Sequence, residues 1–352
     1  LKIAHLTWGL GVGGAELLIL DVAARQARSH EVSLVVGNQD VDPGVLKALD
    51  ARVRLIRIDR PAGSSNPWYP LKLAASVRKI GADVLHAHHD SFGVLKPLLG
   101  SPMLLTVHNT RLPLEGRLAS FDAVCCISDA VKADVEARFP ELPLRVVPNG
   151  VDFDAISQRE ERRDTSFRVV QVGRLAHEQK GQDILIHALR RVIDRDPSSD
   201  VRVDFIGEGA SRAMLQTLSY QCGVAHRCRF LGARTRAEIH RTLRDYDVLV
   251  QPSRYEGFGL TVVEGLAACL PVVVSDIEGP SEIVENGIGW TFRSEDSHAL
   301  AERLLEIRRL QRGPGFALQM AQAAEAARGR FDLALTADAY VGEYLRIAEQ
   351  AG

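Results

Sequence analysis

Tyr255-Glu256-Gly257-Phe258-Gly259-Leu260-Thr261-Val262-Val263-Glu264-Gly265 is the stretch on which the reading of this chain turns. Two glutamates with seven residues between them surround a glycine-flanked turn that runs straight into a helix. The strand-like run Asp247-Val248-Leu249-Val250 precedes it, and Pro252-Ser253 breaks that run. Strand, glycine turn and helix start together aim backbone N–H groups and the positive end of a helix dipole at an anion. Two carboxylates beside such a cradle suit a ligand with both phosphates and hydroxyls, and a nucleotide sugar has both. A surface helix with acids in its first turn accounts for one glutamate, but not for a pair placed around Gly257-Phe258-Gly259.

Outward from this stretch, short β-branched runs alternate with amphipathic ones. Strands are expected at 2–8, 31–36, 53–58, 84–86, 103–107 and 123–127. Helices are expected over 15–28 and 71–80, with another opened by Ser128-Asp129, and 146–148 closes the half. A charge-dense stretch at 152–166, containing Arg159-Glu160-Glu161-Arg162-Arg163-Asp164, reads as a solvated linker. A second series follows, with strands at 167–172, 201–206, 229–232, 248–251 and 272–275 and helices at 183–194, 260–268 and 297–309. The fold class is α/β, with two doubly wound parallel sheets covered on both faces. Ligands are expected in a cleft at the carboxyl ends of both sheets.

Composition sets limits. A chain of 352 residues exceeds what one compact core usually serves, so two domains are expected. Hydrophobic content of 46% and charged content of 25% are ordinary for a globular protein, and a net charge of −2 argues against a general polyanion binder, so no nucleic acid partner is expected. Five cysteines (Cys125, Cys126, Cys222, Cys228, Cys269) lack metal-type spacing and read as small buried hydrophobes in a reducing compartment. The first residues read as a strand and not as a signal peptide, and no apolar run approaches the ~20 residues a membrane span needs. A cytoplasmic protein is expected, with peripheral contact at the inner face of the plasma membrane.

Three further segments carry chemistry. Gly9-Leu10-Gly11-Val12-Gly13-Gly14 follows the first strand and matches G-x-G-x-x-G by spacing. The acid that should close the second strand and hold a nicotinamide dinucleotide's ribose is absent there, where Gly37-Asn38 stand instead. Close backbone approach to a diphosphate remains. In the second half, Gly173-Arg174-Leu175-Ala176-His177-Glu178-Gln179-Lys180-Gly181 occupies the equivalent position. The Arg174 guanidinium and Lys180 ammonium suit neutralisation of a diphosphate leaving group, the alternative being solvated surface charge. Leu105-Thr106-Val107-His108 places a histidine just past a strand end, on the cleft side of a parallel sheet. His86, His88 and His89 cluster with Asp90 but lack a well-spaced carboxylate–histidine partner for a metal. Acidic triplets at 40–42, 194–196 and 245–247 are scattered.

Taken together these segments resemble the retaining glycosyltransferases of family 4, which have the GT-B fold of two Rossmann-like domains. The matching motifs occur in order: Gly13-Gly14-Ala15-Glu16, Thr106-Val107-His108, Cys126-Ile127-Ser128 and Val147-Pro148-Asn149-Gly150-Val151-Asp152. Val172-Gly173-Arg174-Leu175 with Lys180-Gly181, Phe205-Ile206-Gly207-Glu208-Gly209, Pro252-Ser253 with Glu256 through Glu264, and Glu282-Ile283-Val284 complete them. The resemblance implies an acceptor-binding domain over 1–150, joined by a helix at 333–350 with an apolar stripe of Ala339, Tyr340, Leu345 and Ile347. It implies a donor-binding domain over 151–332. Glu256, with the backbone of Gly257, Phe258, Gly259 and Leu260, would hold the donor sugar and part of the diphosphate, and Glu264 the ribose. Arg174 and Lys180 would stabilise the departing diphosphate, which Gly13 and Gly14 would approach. His108 would touch the sugar, and Leu231 and Gly232 would line the base pocket. The implied enzyme is a metal-independent, cofactor-free, retaining hexosyltransferase-type enzyme. It would use a UDP- or GDP-linked sugar and a saccharide or lipid-linked acceptor in bacterial cell-surface polysaccharide, lipopolysaccharide or glycolipid synthesis. Arg111 and Arg117 are candidates to meet an anionic acceptor. A non-catalytic nucleotide-sugar-binding module and an NAD-dependent oxidoreductase are the alternatives, and the second leaves Glu256, Glu264, Arg174 and Lys180 without a role.

Overall fold

A computed structural model describes residues 1–11, 13–114, 117–159 and 166–351. The chain divides into two compact units, one combining Leu1–Gly150 with the helix Leu333–Ala351, the other spanning Val151–Asp332.

The first unit is built on seven strands: β1 (Lys2–Thr7), β2 (Glu31–Asn38), β3 (Arg54–Arg60), β4 (Val84–Ala87), β5 (Met103–Val107), β6 (Ala123–Cys126) and β7 (Leu144–Val146). Their order is β3-β2-β1-β4-β5-β6-β7, and every pairing is parallel. Ile3 lies opposite Val32 on one side and Val84 on the other, so β1 is central. Strands covered on both faces read as unbroken apolar runs, and β5 is buried along its whole length. Strand order reverses between β1 and β4, which opens a crevice at their carboxyl ends.

The second unit repeats the plan with β8 (Phe167–Val172), β9 (Val201–Ile206), β10 (Cys228–Phe230), β11 (Val248–Gln251), β12 (Val272–Ser275) and β13 (Trp290–Phe292). The order β10-β9-β8-β11-β12-β13 is again all parallel and reverses between β8 and β11. Helix Gln182–Arg195 buries Ile184, Leu185, Ala188, Leu189 and Val192 at helical spacing and turns Arg190 and Asp194 outward. These side chains pack with Val169, Phe205 and Val250 of the sheet and Leu300 and Leu304 of helix Ser297–Leu310. Each fully buried Leu or Ile contributes about 1.5–3 kcal/mol.

Several expectations need correction. The stretch after Asp152 is not a solvated linker up to residue 159. Phe153 and Ile156 are buried, Arg159 N–H donates to the Ala268 carbonyl at 2.8 Å, and its guanidinium pairs with Asp247 at 2.7 Å. The remainder of that charged run, residues 160–165, lies outside the described residues, as does Val12 in the first glycine turn. On helix Leu333–Ala351 the buried face is Ala337, Tyr340, Tyr344 and Ile347, whereas Ala339 and Leu345 are exposed. Steps of three and four residues keep the first set on one side, and the expected stripe mixed both sides. Helices Arg212–Gln221, Arg236–Thr242 and Phe316–Phe331 were not expected. The last buries small residues (Ala323, Ala324, Ala327), which give a weak amphipathic signal. Cys125 and Cys126 are buried, but Cys222, Cys228 and Cys269 are half-buried, and all five are free thiols.

Candidate active site

In the second unit, the loops after β8 and β11 meet where the strand order reverses. The short helix His177–Lys180 ends at Gly181, which is left-handed at φ 62°. A Cβ there would lie 1.9 Å from the Pro252 carbonyl oxygen, so only glycine lets the two loops pack this closely. Packing brings Lys180 Nζ onto Glu256 Oε2, and both side chains are half-buried. Gln251 Nε2, at the end of β11, donates to the same Glu256 oxygen at 3.2 Å and to Ser253 Oγ at 3.0 Å. The Lys180 carbonyl accepts from Gln171 Nε2 at 2.8 Å, which ties the lysine backbone to β8. Two strand-borne glutamines thus hold an ion pair contributed by two loops.

Arg174 is exposed on the same β8 loop. Its Nη2 donates to Gln179 Oε1 at 3.1 Å, and its carbonyl accepts from Gln182 Nε2 at 3.0 Å. Helix Leu260–Ala267 starts at Gly259, φ 113°. Gly257 and Phe258 are buried, the Phe258 ring standing edge-on to Phe331 with centroids 5.6 Å apart. Glu264, within that helix, is buried and separate from Glu256. Its Oε1 accepts from His240 Nε2 at 3.1 Å and lies 3.4 Å from Arg236 Nε. Burial alone would raise the Glu264 carboxyl, but the His240 hydrogen bond and the Arg236 charge outweigh it and hold it below its ordinary value. Leu231 and Gly232 follow β10, where Leu231 N–H donates to the Phe205 carbonyl and Gly207 N–H to the Gly232 carbonyl, each at 2.9 Å.

In the first unit, Gly13 caps helix Gly14–Gln26 in an extended conformation, and its carbonyl accepts from Leu17 N–H at 3.1 Å. His108 follows β5 and joins an array of histidines. Its Nε2 lies 3.0 Å from His88 Nδ1, and His88 Nε2 lies 3.0 Å from His5 Nδ1. His5 Nε2 meets Gln26 Oε1 at 2.8 Å, and Gln26 Nε2 donates to the Tyr344 hydroxyl at 3.3 Å. That hydroxyl is 2.6 Å from His86 Nδ1, and His86 Nε2 is 2.7 Å from Thr106 Oγ1, which donates to Tyr340 at 3.2 Å. Burial lowers His5 and His108 to about 4 and holds His86 and His88 well below the ordinary value. One ring nitrogen each of His5, His86 and His88 lies within 4.8 Å of the others. All six of their ring nitrogens are hydrogen-bonded, so a cation there would have to displace existing bonds.

Arg111 and Arg117 are exposed, Arg111 with a left-handed backbone (φ 59°) whose N–H donates to Asp134 Oδ2 at 3.0 Å. Sequence reasoning missed Gln26 and Tyr344, which join the array only through tertiary packing. It also missed a cavity of about 550 Å³ lined by Trp8, Asn38, Arg60, Asn66 and Ser91 at the carboxyl ends of β1 to β4. Arg60 stacks over the Trp8 ring at 5.4 Å there. No helix among the described residues is long and apolar enough to cross a membrane.

Residues 152–327 match the model of glycosyl transferases group 1, and residues 12–155 that of glycosyltransferase family 4. An uncharacterized glycosyltransferase of Methanocaldococcus jannaschii is 28% identical, covering 85% of this chain and 87% of its own length. A D-inositol 3-phosphate glycosyltransferase of Corynebacterium glutamicum is 25% identical over 84% and 83%. Among solved structures, a glycosyltransferase from Rickettsia africae superposes with a TM-score of 0.83 at 17% identity over 98% of both chains. Anabaena HepE, solved with UDP-glucose, gives 0.77 at 22% over 99% and 98%. Two doubly wound parallel sheets, each with loops gathered at its point of strand reversal, agree with these matches. The chain belongs to the glycosyl transferases group 1 and is a glycosyltransferase of the family 4 type with the GT-B fold.

Proposed function

We propose that the protein moves a sugar from a UDP- or GDP-linked donor to an acceptor hydroxyl with retention of anomeric configuration. The observation that carries the proposal is the Lys180–Glu256 pair at the β8/β11 reversal, held by Gln251 and Gln171. Glu256 and the backbone of Gly257, Phe258, Gly259 and Leu260 hold the donor sugar and part of its diphosphate. Glu264 takes the ribose hydroxyls, and Leu231 and Gly232 line the base. Arg174 and Lys180 meet the charge that develops as the sugar–phosphate bond breaks. Gly13 and Gly14 approach the diphosphate, and His108 touches a sugar hydroxyl. The acceptor oxygen bonds to the anomeric carbon on the face the phosphate leaves, and its proton passes to a phosphate oxygen. Charge on the leaving group is met by side chains, without a metal or other cofactor. The acidic triplets fit this reading, because Asp42 caps a helix, Asp196 pairs with Arg308, and Asp247 with Arg159.

The first unit receives the acceptor. The Corynebacterium relative, a D-inositol 3-phosphate glycosyltransferase by name, supports an anionic acceptor, for which the exposed Arg111 and Arg117 are the candidates. A role in cell-surface polysaccharide or glycolipid synthesis, on the cytoplasmic side with peripheral membrane contact, fits such an acceptor. The test is a screen of nucleotide sugars with mass analysis and anomeric assignment of the product. An inverted product refutes retention, and donor binding without nucleotide release refutes catalysis. Sedimentation with anionic liposomes tests the membrane contact, which is refuted by indifference to anionic lipid.

A further inference from the structure

His5 and His88 each have both ring nitrogens engaged, and the bonds have a direction. Gln26 Nε2 donates to Tyr344, so its Oε1 is the atom that faces His5, and an amide oxygen only accepts. His5 must therefore carry its proton on Nε2 and accept at Nδ1. His88 Nε2, 3.0 Å away, must then donate, which leaves His88 Nδ1 as an acceptor. His108 Nε2, 3.0 Å from that nitrogen, must donate in turn. The open end of this series is His108 Nδ1, a buried atom with no hydrogen-bond partner in the structure. Burial keeps the rings neutral at physiological pH, so each carries one proton and the assignment propagates without a break.

We propose that Gln26, His5 and His88 act as positioning residues that lock His108 in the Nε2–H tautomer, making its bare Nδ1 an obligatory acceptor for a hydroxyl of the donor sugar. The ligand's identity rests on the function proposed above, while the tautomer lock stands on the hydrogen bonds alone. A buried acceptor that no protein group satisfies costs about 1–3 kcal/mol unless a ligand donates to it. The atom therefore selects a hydroxyl and rejects a group that only accepts.

The test begins with two-bond nitrogen–proton correlation spectra of the histidine-labelled full chain. Nε2–H is expected on His5, His88 and His108, and a proton on His108 Nδ1 overturns the proposal. His88→Asn keeps an acceptor oxygen facing His108 and is expected to preserve its tautomer, whereas His88→Leu is expected to give a mixture. An unchanged His108 in folded His88→Leu overturns the lock, and if that variant does not fold the native spectrum decides. Calorimetry then compares UDP-glucose with UDP. The affinity ratio is expected to fall in proportion to the lost Nε2–H population, about twofold for an even mixture, in His88→Leu and to be retained in His88→Asn, with UDP itself unaffected. An unchanged ratio in His88→Leu overturns the link to the sugar. If native protein binds neither uridine probe, the comparison is made with GDP-mannose and GDP, and failure of both pairs counts against the donor-site reading and leaves the spectra to decide the lock.

Discussion

Lys180 and Glu256, 76 residues apart in sequence, form an ion pair across the point where the second sheet reverses its strand order. Gln251 donates to the same carboxylate oxygen, so the glutamate is oriented from two sides before any ligand arrives. A preorganised charge pair costs little reorganisation during reaction, which is the condition for electrostatic catalysis.

Replacing either partner should expose this. Glu256→Ala and Lys180→Ala are each expected to reduce nucleotide release by about 100- to 1,000-fold while circular dichroism stays native. Near-normal turnover in either purified variant would remove the pair from the catalytic machinery.

Glu264 stands apart from this pair, facing His240 and Arg236, and the role proposed for it predicts a different response. Glu264→Ala removes the carboxylate that His240 and Arg236 face and leaves a buried gap, with an expected stability loss of about 1–3 kcal/mol. Nucleotide affinity should fall while the reaction rate at saturating donor changes less. Calorimetric binding identical to the native protein would contradict the ribose assignment.

Gly181→Ala tests the loop contact directly. The new Cβ would meet the Pro252 carbonyl at 1.9 Å in a left-handed backbone, so the loops must separate. The expected loss is about 1–3 kcal/mol, read as a lower Tm, together with reduced turnover as Lys180 moves from Glu256. An unchanged Tm would contradict the close packing.

Acid should unfold the first unit early. Free histidine titrates near 6.5, whereas His5 and His108 titrate near 4 when folded. Between these values the unfolded chain binds more protons, so the stability is fully present above 6.5 and lost as pH falls towards 4. Each ring adds a slope of up to about 1.4 kcal/mol per pH unit. Glu264, whose carboxyl is held low, gives way only at more acidic pH. Urea midpoints that stay flat from about pH 7.5 to about pH 4.5 would refute the buried neutral rings.

The sheets were largely legible in sequence because parallel strands buried on both faces are dense in Val, Ile and Leu. β5, β8, β9, β11 and β12 fall where their apolar runs stand. The glycine turns were legible too, since Gly181 and Gly259 supply backbone angles other residues avoid. Alanine-rich helix Phe316–Phe331 was not, because small buried side chains leave little periodic contrast. Nor was the packed run before residue 160, whose charges suggest solvent although Arg159 is paired with Asp247. Candidate site residues could be picked out singly by motif. Their mutual arrangement was not readable, because Lys180 meets Glu256, and His108 meets Gln26 through two other rings, only in the folded chain.

The helix that supplies Tyr340 and Tyr344 lies at the far end of the sequence from the sheet it completes. During synthesis, therefore, the contiguous second unit can fold while the first still lacks two of its central hydroxyl groups. At ribosomal speeds of about 5–20 residues per second, the interval between residue 150 and residue 344 lasts roughly 10–40 seconds. Over that time His86 and Gln26 have no Tyr344 to bind, and the β4–β5 region must wait in an unfinished state. A nascent chain interrupted anywhere in the second unit lacks the hydroxyls that Gln26, His86 and Thr106 bind, so the buried polar array of the first unit is completed only once residue 344 has been made.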